Sequence, residues 1–333
     1  MATITSEHPD ASTAGRTRQQ IRELAAHYSL QIILLLAVVL VGLFEPQFFG
    51  ASNLRSVLLQ SSFGGLLACG MTLLIVGGMI DLSVAGTLAV TAVTIATVLP
   101  RTTVGIAMLL AVVAATLMGL LNGLVVTRMK IPAFIATLGM LNIYMAVAFI
   151  WTNGKVQPIS SNNFMAIGQG TVAGLPIPFL VFAIVCGLSY WLLQRTPFGR
   201  NLRAVGSSEA AARMAGIRVD RVLVLAFMVA GVFAGLAAIT LSALLSSASG
   251  TMATGIELNA IAIAVVGGTS LRGGNGTMLG TFTGALLFSI LNNALNLFGV
   301  ASYWQYVAVG AVLVLALAIG ARRSDGARGD QGI

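Results

Sequence analysis

Charge is what this chain has least of. Asp, Glu, Lys and Arg make up 8% of its 333 residues, where a soluble domain carries about 25%. A water-soluble fold of this size needs a charged coat, so that class is excluded. Disorder is excluded for the opposite reason, because hydrophobic residues make up 57%. Cysteine occurs twice, at Cys69 and Cys186, each alone in an apolar stretch. A disulfide framework or metal site is therefore not expected, and both read as small buried hydrophobes. Histidine is confined to His8 and His27 in the N-terminal tail. There is no His-Glu-x-x-His, no Ser/His/Asp set and no Gly-x4-Gly-Lys-Ser/Thr phosphate loop. No catalytic residues, no bound metal and no ATP site of its own are expected, so the chain does not read as an enzyme.

What the chain does have is apolar sequence in long runs. They lie at 30–44, 55–79, 83–99, 104–127, 133–152, 175–194, 221–245, 256–269, 277–298 and 301–320. A membrane span takes roughly 20 apolar residues, so ten spans consume most of the chain. The predicted fold is an all-α polytopic membrane protein. A tail (1–27), a transmembrane domain (28–321) and a second tail (322–333) follow from this. The longer connections are 153–174, rich in Asn, Gly, Ser and Pro, and 195–220, rich in Arg. With the N-terminus placed in the cytoplasm and the spans alternating, fifteen of the 18 basic residues fall inside. Those left outside are Arg55, Arg101 and Lys155. The positive-inside bias favours this orientation: both termini and 195–220 cytoplasmic, 153–174 external.

Glycines recur at a spacing of four, as at Gly119/Gly123, Gly231/Gly235 and Gly276/Gly280/Gly284. That spacing places them on one helix face, for packing within the subunit or between two copies. Two segments interrupt the spans: Gly77-Gly78-Met79-Ile80-Asp81-Leu82-Ser83, and Gly267 through Gly276. Both follow Val-Gly-Gly, and Thr87 and Thr277 close them at the same offset of 190, a trace of internal duplication. Broken helices are tolerated in lipid only where they line a cavity or are buried in protein, and paired breaks point toward a translocation path. Asp81 and Glu257 are the membrane acids, each near a span end, where capping a helix is the alternative role. Asn122, Asn142, Asn292, Asn293, Asn296 and Gln305 supply amides. These suit a neutral polyhydroxylated solute, and equally suit helix–helix hydrogen bonds.

The basic loop is the most informative stretch. Ser207 or Ser208 can cap a short helix, with Glu209 in its first turn, Arg213 near its end and Gly216 as its stop. The predicted face is Ala210, Ala211 and Met214, too small to form a core alone. It is shaped for a groove in another protein. The alternative is an interfacial helix held to anionic lipid by its arginines.

Glu209-Ala210-Ala211 followed by Gly216, in a long cytoplasmic loop, resembles the coupling segment of ABC importer permeases, although this chain has four residues between the alanine pair and the glycine instead of three. The string Gly199-x-Asn201-x-x-Ala204-x-Gly206 through Ala215-Gly216-Ile217 is similar to the ribose-type monosaccharide permeases. So are the two glycine breaks, Thr254-Gly255-Ile256-Glu257-Leu258, and Leu291-Asn292-Asn293-x-Leu295-Asn296-Leu297. The resemblance runs over about residues 55–320. It implies a permease of the bacterial cytoplasmic (inner) membrane that imports a monosaccharide or related polyol. Implied partners are a cytoplasmic ATPase carrying ATP and Mg, an extracytoplasmic sugar-binding protein, and a second permease copy or paralogue. No cofactor on this chain and no nucleic acid are implied. The coupling residues would be Gly199, Arg200, Asn201, Gly206, Glu209, Ala210, Ala211, Met214 and Gly216. The path would draw on Asp81, Ser83, Asn122, Asn142, Glu257, Asn259, Asn292, Asn293 and Asn296. Relatives often carry an acid where this chain has Asn259. Two other classes compete: an ion-coupled secondary carrier, and a membrane enzyme acting on a lipid-linked substrate through Asp81 and Arg272.

Overall fold

The computed structural model describes residues 29–301 and single positions at 303, 304, 307, 310, 311 and 314. The tail 1–27, most of the expected tenth span at 301–320 with Gln305, and the tail 322–333 lie outside the described residues. Among those described, twelve α-helices run in order. They are α1 (Ser29–Phe44), α2 (Ala51–Val76), α3 (Val84–Val98), α4 (Val104–Met129), α5 (Ala133–Thr152), α6 (Asn162–Gln169), α7 (Ile177–Arg195), α8 (Pro197–Ser207), α9 (Glu209–Met214), α10 (Val219–Leu245), α11 (Ile256–Val266) and α12 (Met278–Leu297). Seven are long and apolar enough to cross a bilayer: α2, α3 with the 3-10 turn that extends it, α4, α5, α7, α10 and α12. The apolar helices α1 and α11 are shorter.

Lipid needs no polar coat, so the helices differ in how deeply they are buried. Of the 18-residue apolar stretch of α2, 89% is buried, and of that of α5, 22%. Accordingly α2 is the axial helix, packed by α7, α10, α11 and α12, while α3 with α5 and α4 with α10 build the flanks. Chain segments approach closely where side chains vanish. A Cβ added at Gly119 would overlap the Phe227 carbonyl oxygen, and one at Gly231 would overlap that of Ala115. The glycine stripes of α4 and α10 thus face each other within one chain. Gly280 and Gly284 of α12 meet Gly267 and the Ile263 carbonyl in the same manner.

The helices alternate between two ends. One end gathers 77–83, the close of α4, the whole of 195–220, and 267–276. The other gathers the start of α2, 99–103, 153–176 and 246–255. This second end is more ordered than its composition suggests. Gln157–Pro158 (β1) pairs antiparallel with Ser247–Ala248 (β4), and Thr171–Val172 (β2) with Leu175–Pro176 (β3). Phe164 of α6 is fully buried, and Gln169 donates to the Leu244 carbonyl (3.1 Å) and to Ser246 Oγ (3.0 Å). All three basic residues assigned to the outside, Arg55, Arg101 and Lys155, stand at this end.

Candidate functional site

The connection between α7 and α10 is two helices with different surroundings. Thr196 caps α8 by accepting a hydrogen bond from the Gly199 N–H (3.3 Å), and Pro197 occupies the first position, where its missing N–H costs nothing. Gly199, Leu202 and Val205 are buried and Arg200 is exposed, with Asn201 and Gly206 half-buried. Gly199 is small because a Cβ would overlap the Leu193 carbonyl oxygen.

Ser208, of the two candidate serines, caps α9, accepting from the Ala211 N–H (3.3 Å). At the far end the Gly216 N–H donates to the Arg213 carbonyl and the Ile217 N–H to the Ala212 carbonyl, both at 3.0 Å. This reversal needs a left-handed residue, and Gly216 has φ +80°. Arg213 pairs with Glu209 (2.9 Å) within α9 and with Asp220 (2.7 Å) in the first turn of α10. Asp220 first, and then Glu209, raises the arginine's pKa above its ordinary value. Only Ala212 of α9 is buried; Glu209, Ala210 and Ala211 are exposed, and Met214 is 84% exposed. The helix therefore presents a small-residue face with one flexible apolar side chain and spends almost nothing on the core.

The two glycine breaks meet beneath α8. The Gly274 N–H donates to the Val76 carbonyl (2.8 Å), joining the breaks. Gly206 lies in the notch they form, where an added Cβ would overlap the Val76 carbonyl oxygen and stand 2.7 Å from the Gly274 nitrogen. Arg203 of α8 donates to the Gly276 carbonyl (3.3 Å). The breaks also share local geometry. Gly78 and Gly268 both have positive φ. The Gly78 and Met79 N–H groups return to the Ile75 and Leu74 carbonyls, and those of Gly268 and Thr269 return to Val265 and Ala264. The offset of 190 therefore holds atom for atom at these helix ends. It does not extend to the threonines, since Thr87 lies inside α3 while Thr277 caps α12.

The polar residues expected along a path separate into groups. Asp81, Ser83 and Asn122 are brought together and buried. Asp81 accepts from the Ser83 N–H (2.8 Å) and hydroxyl (2.6 Å); Asn122 donates to Ser83 Oγ (2.6 Å) and accepts from the Tyr144 hydroxyl (3.0 Å). Asn293 is buried against Asn53, each amide donating to the other (2.7 and 3.0 Å). Nothing in the local pattern singled out Asn53, which sits in the first turn of α2. Asn292 turns back onto the Phe288 carbonyl (3.1 Å). Glu257 and Asn259 are half-buried on α11, and Asn142 and Asn296 are exposed. Asn142, Asn296 and the α11 pair are not brought to one cluster with Asp81. Cys69 of α2 and Cys186 of α7, read as isolated, are both buried and unbridged, and the Cys186 thiol donates to the Met278 carbonyl (3.3 Å).

A bundle of apolar helices around a buried axial helix, with a short exposed helix at one end, defines a polytopic all-α membrane protein. The chain belongs to the family described as branched-chain amino acid transport system / permease component, which matches residues 53–317. It is 38% identical to the ribose import permease protein of Haemophilus influenzae over 86% of this chain and 90% of that one. It is 36% identical to the ribose import permease protein of Bacillus subtilis, covering 87% and 91%. It is 32% identical to an L-arabinose ABC transporter permease protein of Azospirillum brasilense, covering 94% and 93%. No solved structure matches the chain. The chain is thus a transport component, a multi-pass protein of the bacterial inner membrane.

Proposed function

We propose that this chain is the membrane-spanning subunit of an ABC importer that carries a monosaccharide or related polyol inward. ATP and Mg are bound and used on a separate cytoplasmic ATPase, and an extracytoplasmic binding protein delivers the sugar. The permease works as a pair, with a second copy or a paralogue. The end that carries 195–220 faces the cytoplasm, in keeping with its arginines.

One observation carries this reading: α9 is exposed on the face of Ala210, Ala211 and Met214, while α8 is seated on both glycine breaks. Closure of the ATPase displaces α9. Because α8 packs against the end of α2 at Gly206 and is hydrogen-bonded to the turn before α12 through Arg203, the displacement reaches both halves of the bundle. The permease supplies no covalent chemistry; it is a two-state element whose balance the partner shifts. Asp81, Ser83, Asn122 and Asn293 are assigned to packing, since they are buried and bond to other side chains of the bundle. Asn142, Asn292, Asn296, Glu257 and Asn259 remain assigned to the path. Ribose and L-arabinose, which the names of the relatives give for those proteins, set the expected cargo class.

Co-purification from mild detergent tests the proposal. A nucleotide-binding subunit and a soluble sugar receptor are expected in stoichiometric amounts, and their absence from an active preparation contradicts it. A gradient-driven carrier is the second reading, favoured by one feature: the buried Oε2 of Glu257, which has no hydrogen-bond partner among the described residues. Uptake by proteoliposomes holding this chain alone, driven by a proton or sodium gradient without ATP, would establish that reading instead.

A further inference from the structure

A groove of about 310 Å³ opens between the end of α4 and the start of α10, within the roughly 300–1,000 Å³ typical of ligand sites. Its wall is Leu124, Val224 and Leu225, and its rim carries Arg128, Arg221 and Asp220. Asp220 already holds Arg213 at 2.7 Å. Arg128 and Arg221, both exposed, bring guanidinium groups that pair with no carboxylate among the described residues. Lys130 and Arg218 lie exposed close by in the chain.

The position decides what fits. Arg128 is in the last turn of one span and Arg221 in the first turn of another, so the rim lies where the helices leave the hydrocarbon. The leucines and the valine lie deeper along the same two helices. A ligand that uses both parts has an anionic phosphate at interface depth and an apolar chain running inward. A soluble anion would leave the apolar wall unused. Basic pockets between spans recognise anionic lipid headgroups in this way.

We propose that this groove is a binding site for an anionic phospholipid, its phosphate between Arg128 and Arg221 and one acyl chain against Leu124, Val224 and Leu225. The site is separate from the α9 face and stands whether or not the import reading does.

The test uses the purified full-length chain, stripped of lipid and titrated with dioleoyl phosphatidylglycerol or dioleoyl phosphatidylcholine, with bound lipid counted by native mass spectrometry. Phosphatidylglycerol should bind at several-fold lower concentration. Arg128→Gln with Arg221→Gln should weaken it about 25-fold, from about fivefold per arginine. Val224→Trp, which fills the groove and keeps both charges, should also weaken it. Arg101→Gln with Lys155→Gln, the same charge change at the opposite end, should leave it unchanged. Equal binding of both lipids, or equal loss in the two double variants, overturns the site. Displacement of phosphatidylglycerol by millimolar inorganic phosphate would assign a soluble anion instead. A photo-crosslinker at Thr127 that captures a protein in native membranes, where lipid is expected, overturns it as well.

Discussion

Gly206 rests its backbone against the carbonyl of Val76, so that no side chain fits between α8 and the end of α2. The same carbonyl accepts from Gly274, and the contact therefore holds three distant parts of the chain at one point. Replacing Gly206 with Ala forces the notch open. Overpacking of this kind costs about 1–3 kcal/mol. The variant should insert and fold with a lowered melting temperature in detergent, and sugar uptake should fall further than the amount of folded protein. Uptake in proportion to folded protein would show that the notch only stabilises.

The cap geometry of α9 decides which proline disrupts it. Glu209 is the first helical residue after the Ser208 cap, where proline is tolerated, so Glu209→Pro should keep much of its uptake. The Ala212 N–H donates to the Ser208 carbonyl (3.0 Å). Ala212→Pro deletes that bond and clashes with the same carbonyl, a penalty of about 3 kcal/mol on a six-residue helix. Normal membrane levels with uptake lost are expected for Ala212→Pro, measured by radiolabelled sugar entry into cells. Normal uptake by the Ala212→Pro protein would remove α9 from the coupling role.

The cluster of Asp81, Ser83, Asn122 and Tyr144 is treated as internal. Asn122→Ala removes a donor to Ser83 and an acceptor for Tyr144. Leaving buried partners unmet costs about 1–3 kcal/mol. A lower melting temperature is expected, with uptake by the folded fraction retained. An unchanged melting temperature with a raised half-saturation concentration for sugar would place Asn122 on the path.

The reciprocal amides of Asn53 and Asn293 tie the first turn of α2 to α12. A double-mutant cycle with alanine at each position should give a coupling energy near 0.6 and below about 1.7 kcal/mol, as for other hydrogen bonds between membrane helices. Additive single effects would show that the two amides do not bond in the membrane.

Most of the helices were legible because lipid forces the issue: a run of apolar residues long enough to span is hard to place elsewhere. The expected runs at 104–127 and 133–152 coincide with α4 and α5 to within two residues at either end. The α9 cap, narrowed to Ser207 or Ser208, its first-turn acid, its closing arginine and its stop were legible because they are local, within ten residues of one another. The seat of α8 was not. Gly206 looks like any loop glycine until Val76 and Gly274, distant in sequence, come to lie against it. Asn53 was missed for the same reason, since a polar residue in a first helical turn is ordinary and its meaning depends on Asn293. The two cysteines were read as isolated because nothing in their separate runs brings α2 beside α7. Helix α6 and the β1–β4 pairing were hidden by composition, as Asn, Gly, Ser and Pro there suggest a plain loop.

The α9 face is most directly tested by a single exposed cysteine at Met214, the native Cys69 and Cys186 being buried. In sealed inside-out vesicles the Met214→Cys protein should react with a membrane-impermeant maleimide. A short bifunctional crosslinker should then join it to a nucleotide-binding subunit, more strongly when ATP hydrolysis is blocked. Labelling only in right-side-out cells, or a crosslinking product that never contains an ATPase, would contradict the account.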